Sequence, residues 1–190
     1  SQPKLIKKHY SGLGHIFMLH RILPKVEKEQ YEFNKTLAVS PEGLEKFILK
    51  FKEQGFNFIS MNEFSKRIKS KSNKKFIVFT IDDGYKDNLI YGLPVFEKHN
   101  VPFTLYVSNC FPNNQAIYWW YFLEEHVLSN KQINLTSIGI DYKKEIIDVL
   151  ETYNEARELL RKSDYNTHIR FAKEICKKSD DELLMLNQKL

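Results

Sequence analysis

Residues 75–81, with the sequence KFIVFTI, are the feature that most limits how this chain can fold. The stretch is apolar at nearly every position, whereas a strand with one face in water alternates apolar and polar residues. Continuous apolar character is typical of a strand that is buried on both faces of a parallel sheet. The sequence therefore predicts a parallel sheet with helices packed on its faces.

Shorter apolar runs before and after this segment in the sequence are candidates for the strands that pair with it. Three further strands are predicted, at residues 15–19, 56–60 and 101–108. Helices are predicted between successive strands, beginning at Pro41, near residue 61 and after Asp87. Strands that alternate with helices indicate right-handed βαβ units and an α/β fold. Periodicity does not decide whether the sheet is open or closed into a barrel.

The first long helix has recognisable ends. Ser40 is predicted to be its N-cap, Pro41 to occupy its first position, and Gly55 to end it. Leu44 and Ile48 recur at helical spacing and predict an apolar face toward the sheet.

The chain changes character beyond residue 117. Residues 118–122 are all aromatic, and residues 141–190 show helical spacing with no further strand pattern. We therefore predict two parts, an α/β part at 1–117 and a mostly helical part at 118–190. The aromatic run has two interpretations. Packing in a core or subunit interface is favoured, and stacking on sugar rings is the alternative.

Composition narrows the class of protein. Of the 190 residues, 42% are hydrophobic and 28% are charged, which is typical of a globular chain rather than a disordered one. The net charge of +5 is spread along the chain without a nucleic-acid-binding motif, so no nucleic-acid partner is expected. Cys110 and Cys176 are far apart, which argues against a disulfide framework. Neither a membrane span nor a signal peptide is visible, so we expect a cytoplasmic location.

Asp82 and Asp83 follow the buried strand directly, and Gly84 comes next. The carboxyl ends of parallel strands meet at one rim, where active sites form. Adjacent strand residues point to opposite faces, so the chain must twist for both carboxylates to serve one site, and Gly84 allows that twist. One division of labour is a metal ligand beside a general base. The alternative is that both residues cap the next helix in a turn.

Three segments together resemble the polysaccharide deacetylase family, carbohydrate esterase family 4. TIDDGY at 80–85 is similar to its first motif, T-F-D-D-G followed by tyrosine, with Ile81 in place of the phenylalanine. LPVFEKHNVPFTLYV at 93–107 and HIFMLHRILP at 15–24 resemble the helix-turn-strand that follows the motif and the first strand of the family. The resemblance covers roughly residues 13–122.

The resemblance implies a fold and a chemistry. The fold is a partial (β/α) barrel with parallel strands, followed by a helical C-terminal segment. Members remove N- or O-acetyl groups from acetylated polysaccharides or oligosaccharides with a divalent metal, often zinc, and some belong to bacterial surface-polysaccharide clusters. By this likeness Asp82 is the general base, Asp83 is a metal ligand, and His20 and Tyr85 lie near the site as substrate-binding candidates.

The chain departs from the family in its histidines. The family supplies two further metal ligands from an H-[ST]-x-x-H motif, and no histidine pair here has that spacing. After Asp83 the chain has single histidines only, at His99, His126 and His168. We therefore expect the N-terminal part of a longer deacetylase, which should be inactive alone and bind metal only weakly.

Two further expectations follow. The alternative function is a non-catalytic carbohydrate-binding or scaffold protein on a degenerate deacetylase fold. Half a barrel also exposes strand edges and apolar surface, so the isolated chain is expected to form a homo-oligomer.

Overall fold

The computed structural model describes residues 12–28, 32–70 and 74–190. Contacts within the chain divide it into two compact units. The first unit comprises the described residues up to 28 and from 37 to 108, and the second comprises 32–36 and 109–190. Among the described residues, no helix has the length and apolar character needed to cross a membrane. The predicted organisation into 1–117 and 118–190 stays a prediction.

The first unit contains short helices and parallel strands. Its strands are β1 Gly14–Leu19, β2 Arg21–Ile22, β3 Ala38–Val39, β4 Asn57–Phe58, β5 Phe76–Asp83 and β6 Phe103–Val107. Its helices are α1 Lys25–Lys28, α2 Pro41–Glu53, α3 Met61–Lys69 and α4 Leu93–Lys98, with a π-helix at Asn88–Gly92. The 3-10 turn Asn34–Leu37 lies mostly in the second unit, and only Leu37 belongs to the first.

Strand β5 is the centre of the main sheet. It pairs in parallel with β1 from Phe76 to Ile81, with β4 at its first two residues, and with β6 from Phe79 to Asp83. Strands β2 and β3 form a separate parallel pair. These pairings confirm the predicted α/β class with parallel strands. Closure into a barrel stays a prediction.

Both faces of β5 carry buried side chains, as its continuous apolar sequence predicts. On one face Phe79 packs among residues of α2 and α4, including Ile48 and Phe96. On the other face Phe76 and Val78 pack with residues at and beside α3. Burial of this kind supplies most of the free energy that holds a sheet and its helices together.

Helix α2 begins where the sequence places it. The Ser40 side chain accepts a hydrogen bond from the Gly43 amide at 3.0 Å, and Pro41 occupies the first turn. Gly55 follows the helix in the left-handed region, with φ of +77°. The predicted cap and stop signals are therefore confirmed.

The segment after Asp87 is helical as predicted, and it is divided into two parts just before Pro94. A π-helix spans Asn88–Gly92, and the Leu93 amide donates to the Asn88 carbonyl five residues back. Pro94 explains the division, because it lacks an amide proton and its ring clashes with the carbonyl four residues earlier. The wider π turn delivers the chain to α4 with the proline in its first turn.

The second unit is helical with one small hairpin. Its helices are α5 Trp119–Ser129, α6 Val149–Arg161, α7 Tyr165–Arg170 and α8 Asp180–Lys189, with a π-helix at Phe171–Ile175 and a 3-10 turn at Thr136–Ile138. Strands β7 Gln132–Asn134 and β8 Lys143–Glu145 pair antiparallel. The expectation of no further strand was wrong, because three-residue strands are too short for an alternating pattern to stand out.

The aromatic run at 118–122 belongs mainly to the interior of this unit. Tyr118, Trp119, Tyr121 and Phe122 are buried. Trp119 and Phe122 pack in a core with Leu123 and residues of the later helices. The packing interpretation of this run is therefore the one that the structure favours over sugar stacking.

Capping of α3 gives a first testable prediction. The Ser60 hydroxyl accepts from the Glu63 amide at 3.2 Å, and the Glu63 carboxylate accepts from the Ser60 amide at 2.9 Å. Ser60→Ala should lower the free energy of unfolding by about 1 kcal/mol, because one amide of the first turn loses its acceptor. Ser65→Ala, inside the same exposed helix, is the matched control and should change little. The midpoint of urea unfolding measures the stability of each variant. A Ser60→Ala midpoint equal to that of the wild type would contradict the stabilising role of the cap.

Candidate active site

The two aspartates lie at the carboxyl end of β5, where the strand turns sharply. Asp82 and Asp83 still pair with Tyr106 and Val107 of β6. Asp83 has φ of +73° and Gly84 has φ of +84°, so two successive residues lie in the left-handed region. That region is disfavoured for residues with a Cβ, although short polar side chains such as aspartate tolerate it best. The twist expected at Gly84 therefore begins one residue earlier, at Asp83.

This twist places both carboxylates beside one open cavity. The cavity has a volume of about 640 Å³, and its lining includes Asp82 and Asp83. Its remaining walls are largely apolar and come from β1, α3 and β6, with Met18 and Tyr106 among the exposed members. A concave surface with a few convergent polar groups is the usual form of a small-molecule site.

The surroundings of the Asp83 carboxyl group make it harder to ionise. Burial raises its pKa above the ordinary value of 3.8, the charge of His20 lowers it, and the neighbouring Asp82 raises it further. A half-buried carboxylate with a like charge beside it is harder to ionise than one in water. His20 is therefore close enough to Asp83 to act on its charge.

The other two predicted site residues do not share the cavity wall. His20 follows β1 directly, and neither His20 nor Tyr85 is among the described residues that line the cavity. The Tyr85 ring is 3% exposed and lies under the Arg21 guanidinium, 4.8 Å from its centre. The structure thus brings Asp82 and Asp83 to the cavity, leaves His20 near Asp83, and buries Tyr85 behind them.

Asp87, four residues after Asp83, forms a buried ion pair with Arg21 that the sequence pattern did not predict. The Arg21 Nε donates to Asp87 Oδ2 at 2.9 Å, and the Ile22 amide donates to Asp87 Oδ1 at 2.8 Å. Arg21 and Asp87 are 4% and 5% exposed. Burial raises the pKa of Asp87, and the Arg21 charge offsets part of that rise. An arginine inside an apolar run was the available signal, because a buried charge needs a partner.

The resemblance implies a divalent metal, which needs several donor side chains close together. In the described parts of the chain, no group of three His, Cys, Asp or Glu side chains could hold a metal ion. Two histidines already have other partners. His99 Nε2 lies 2.8 Å from Glu45 Oε1, and His168 Nε2 lies 2.7 Å from the Leu160 carbonyl oxygen. Asp82 and Asp83 with the described residues around them therefore do not fit a complete metal centre, and no step is assigned to a metal.

The raised pKa of Asp83 gives a second prediction, on stability against pH. A carboxyl group whose pKa is raised on folding destabilises the folded state when it is ionised. The penalty is absent below the unfolded pKa of 3.8, and it is fully present once the pH exceeds the raised pKa of the folded state. Asp83→Asn should therefore raise the Tm at pH 7, and the gain should shrink as the pH falls toward 3.8. Asparagine also tolerates a positive φ.

Thermal unfolding at pH 7 and near pH 3.5 makes this measurement. Asp141→Asn, at an exposed position, is the control and should leave the Tm unchanged at both pH values. An Asp83→Asn protein that melts below the wild type at pH 7 would contradict the prediction.

The chain was compared with known proteins. No protein-family model and no curated protein matches it. A solved de-N-acetylase from Aggregatibacter actinomycetemcomitans is 17% identical, with a TM-score of 0.42 over 77% of this chain and 52% of that chain. The Streptococcus pyogenes deacetylase PplD, in complex with acetate, is 14% identical, with a TM-score of 0.40 over 93% of this chain and 78% of that chain. The chain thus spans about half the length of the first structure, and both of these similar structures are of deacetylases.

Proposed function

We propose that this protein is a carbohydrate deacetylase, which hydrolyses N- or O-acetyl groups on a polysaccharide or oligosaccharide. The observation that carries the proposal is the left-handed backbone at Asp83, directly after Asp82 and beside an open cavity. Backbone strain of this kind persists where the surrounding structure enforces it, and it clusters at active sites. The resemblance of residues 80–85 to the deacetylase motif supports the same function.

In this proposal Asp82 is the general base. Its carboxylate removes a proton from a water molecule, and the water oxygen forms a bond to the acetyl carbonyl carbon. The bond from that carbon to the sugar nitrogen or oxygen then breaks, and the proton passes to the leaving sugar atom. The products are acetate and a free amine or hydroxyl. The apolar wall at Ile16 and Met18 suits the acetyl methyl group and the faces of sugar rings.

A divalent metal, often zinc, is the cofactor that the resemblance implies for a complete site. Asp83 is the residue assigned to it as a ligand. One carboxylate does not make a tight zinc site, and structural and catalytic zinc sites use three or four protein donors. Histidine donors would have to come from polypeptide other than the described residues. In the described residues, this chain therefore supplies the base, Asp82, and one candidate ligand, Asp83.

Acetate release by the protein as its gene encodes it tests the proposal. The substrates are N-acetylated chitooligosaccharides and O-acetylated xylooligosaccharides, assayed with and without a chelator. We expect acetate release from one of these classes and its loss on chelation. Calorimetric binding of the same sugars without acetate release would replace the proposal with the non-catalytic carbohydrate-binding function.

A further inference from the structure

We infer that Asp87 and Asn88 are positioning residues, which hold the backbone around His20 in place beside the aspartates of β5. The catalytic meaning of this inference rests on the proposed deacetylase function, but the contacts that carry it do not. No role drawn from the deacetylase resemblance includes either residue.

Two successive residues hold three successive residues of the segment after β1. Asp87 accepts hydrogen bonds from the Arg21 guanidinium and from the Ile22 amide, at 2.9 and 2.8 Å. The Asn88 side-chain amide donates to the His20 carbonyl at 3.1 Å. Asp87 and Asn88 are both buried, so water competes little for these bonds.

Apolar packing holds the same two segments together. The Ile22 side chain lies so close to Gly92 that a Cβ there would stand 2.5 Å from Ile22 Cδ1. Gly92 ends the π-helix that Asn88 begins, and single π turns are frequent at functional sites. The segment after β1 is therefore docked along the segment after β5 by polar and apolar contacts together.

This docking acts on His20 at a gap between two strand pairings, because β1 ends at Leu19 and the pairing of β2 with β3 begins at Arg21. The β1–β5 ladder ends at the pair Leu19 and Ile81, so the backbone pairing of the sheet stops one residue before His20. The bond from Asn88 to the His20 carbonyl takes over at that residue. His20 follows Leu19 and Asp82 follows Ile81, so His20 leaves the main sheet at the level of the aspartates. A shift of His20 would therefore reach the proposed site.

The test is NMR of the imidazole resonances at one fixed pH, on the full chain labelled at histidine. Asn88→Ala removes only the bond to the His20 carbonyl, and Asp87→Asn weakens the hold on Arg21. In both variants we expect the His20 resonances to shift and broaden.

The His99 resonances are the internal control, because the His99 ring lies against Glu45 and should not respond. Ile48→Val, a fully buried core change, is the stability control and should leave both histidines unmoved.

Unchanged His20 resonances in both variants would overturn the inference, whatever happens to the Tm.

In the deacetylase assay, kcat should fall about 10- to 100-fold in Asn88→Ala with KM nearly unchanged, because small displacements of reacting groups are costly. If the wild-type protein as its gene encodes it releases no acetate, the proposed function fails, and the imidazole resonances still decide the positioning role.

Discussion

Asp82→Asn should reduce acetate release by at least about 100-fold, because a general base in the right place contributes roughly 10²- to 10⁴-fold to a hydrolytic rate. The amide has nearly the shape of the carboxylate but cannot take the proton from water. Asp82 pairs with Tyr106 in the β5–β6 ladder and is only partly buried, so the variant should fold normally. The effect should lie in kcat, while sugar binding measured by calorimetry stays close to that of the wild type.

Two controls define this experiment. Asp141→Asn makes the same chemical change at an exposed position of the second unit and should leave the rate unchanged. Circular dichroism should give the same spectrum for wild type and variant. If Asp82→Asn releases acetate at the wild-type rate, Asp82 is not the general base of the reaction.

Asp87→Ala should lower the free energy of unfolding of the first unit by about 3 to 5 kcal/mol, because it leaves the buried Arg21 charge without its partner. It also removes the acceptor of the Ile22 amide. Asp87→Asn retains an acceptor oxygen at this position and should cost less. The exposed pair of Glu158 with Arg161 is the matched comparison, and Glu158→Ala should change stability little because water screens that pair.

The measurement must follow the first unit, because both tryptophans lie in the second. Hydrogen exchange of the β5 amides in increasing urea reports on the sheet directly. A loss of less than about 1 kcal/mol in Asp87→Ala would show that the ion pair does not hold the two segments together. Such a result would also weaken the positioning role of Asp87, and the His20 resonances would then decide whether Asn88 acts alone.

The sequence by itself determined the parallel sheet of the first unit. The apolar run at 75–81 required burial on both faces, and Ser40 with Pro41 located the start of α2 because these signals are local. The position of Asp82 and Asp83 at the end of a buried strand followed from the same pattern. The pair of adjacent carboxylates suggested a base beside a metal ligand, and the family resemblance assigned the base to Asp82 and the ligand to Asp83.

Only the tertiary structure decided how the candidate site is held. The pairing of Arg21 with Asp87 joins residues 66 positions apart, and no local pattern encodes such a contact. The burial of Tyr85 under Arg21 likewise depends on a residue of another strand. Short-range propensity places strands and caps, whereas long-range packing and desolvation select partners for buried charges. That is why the strand end could be located from the sequence while the network behind it could not.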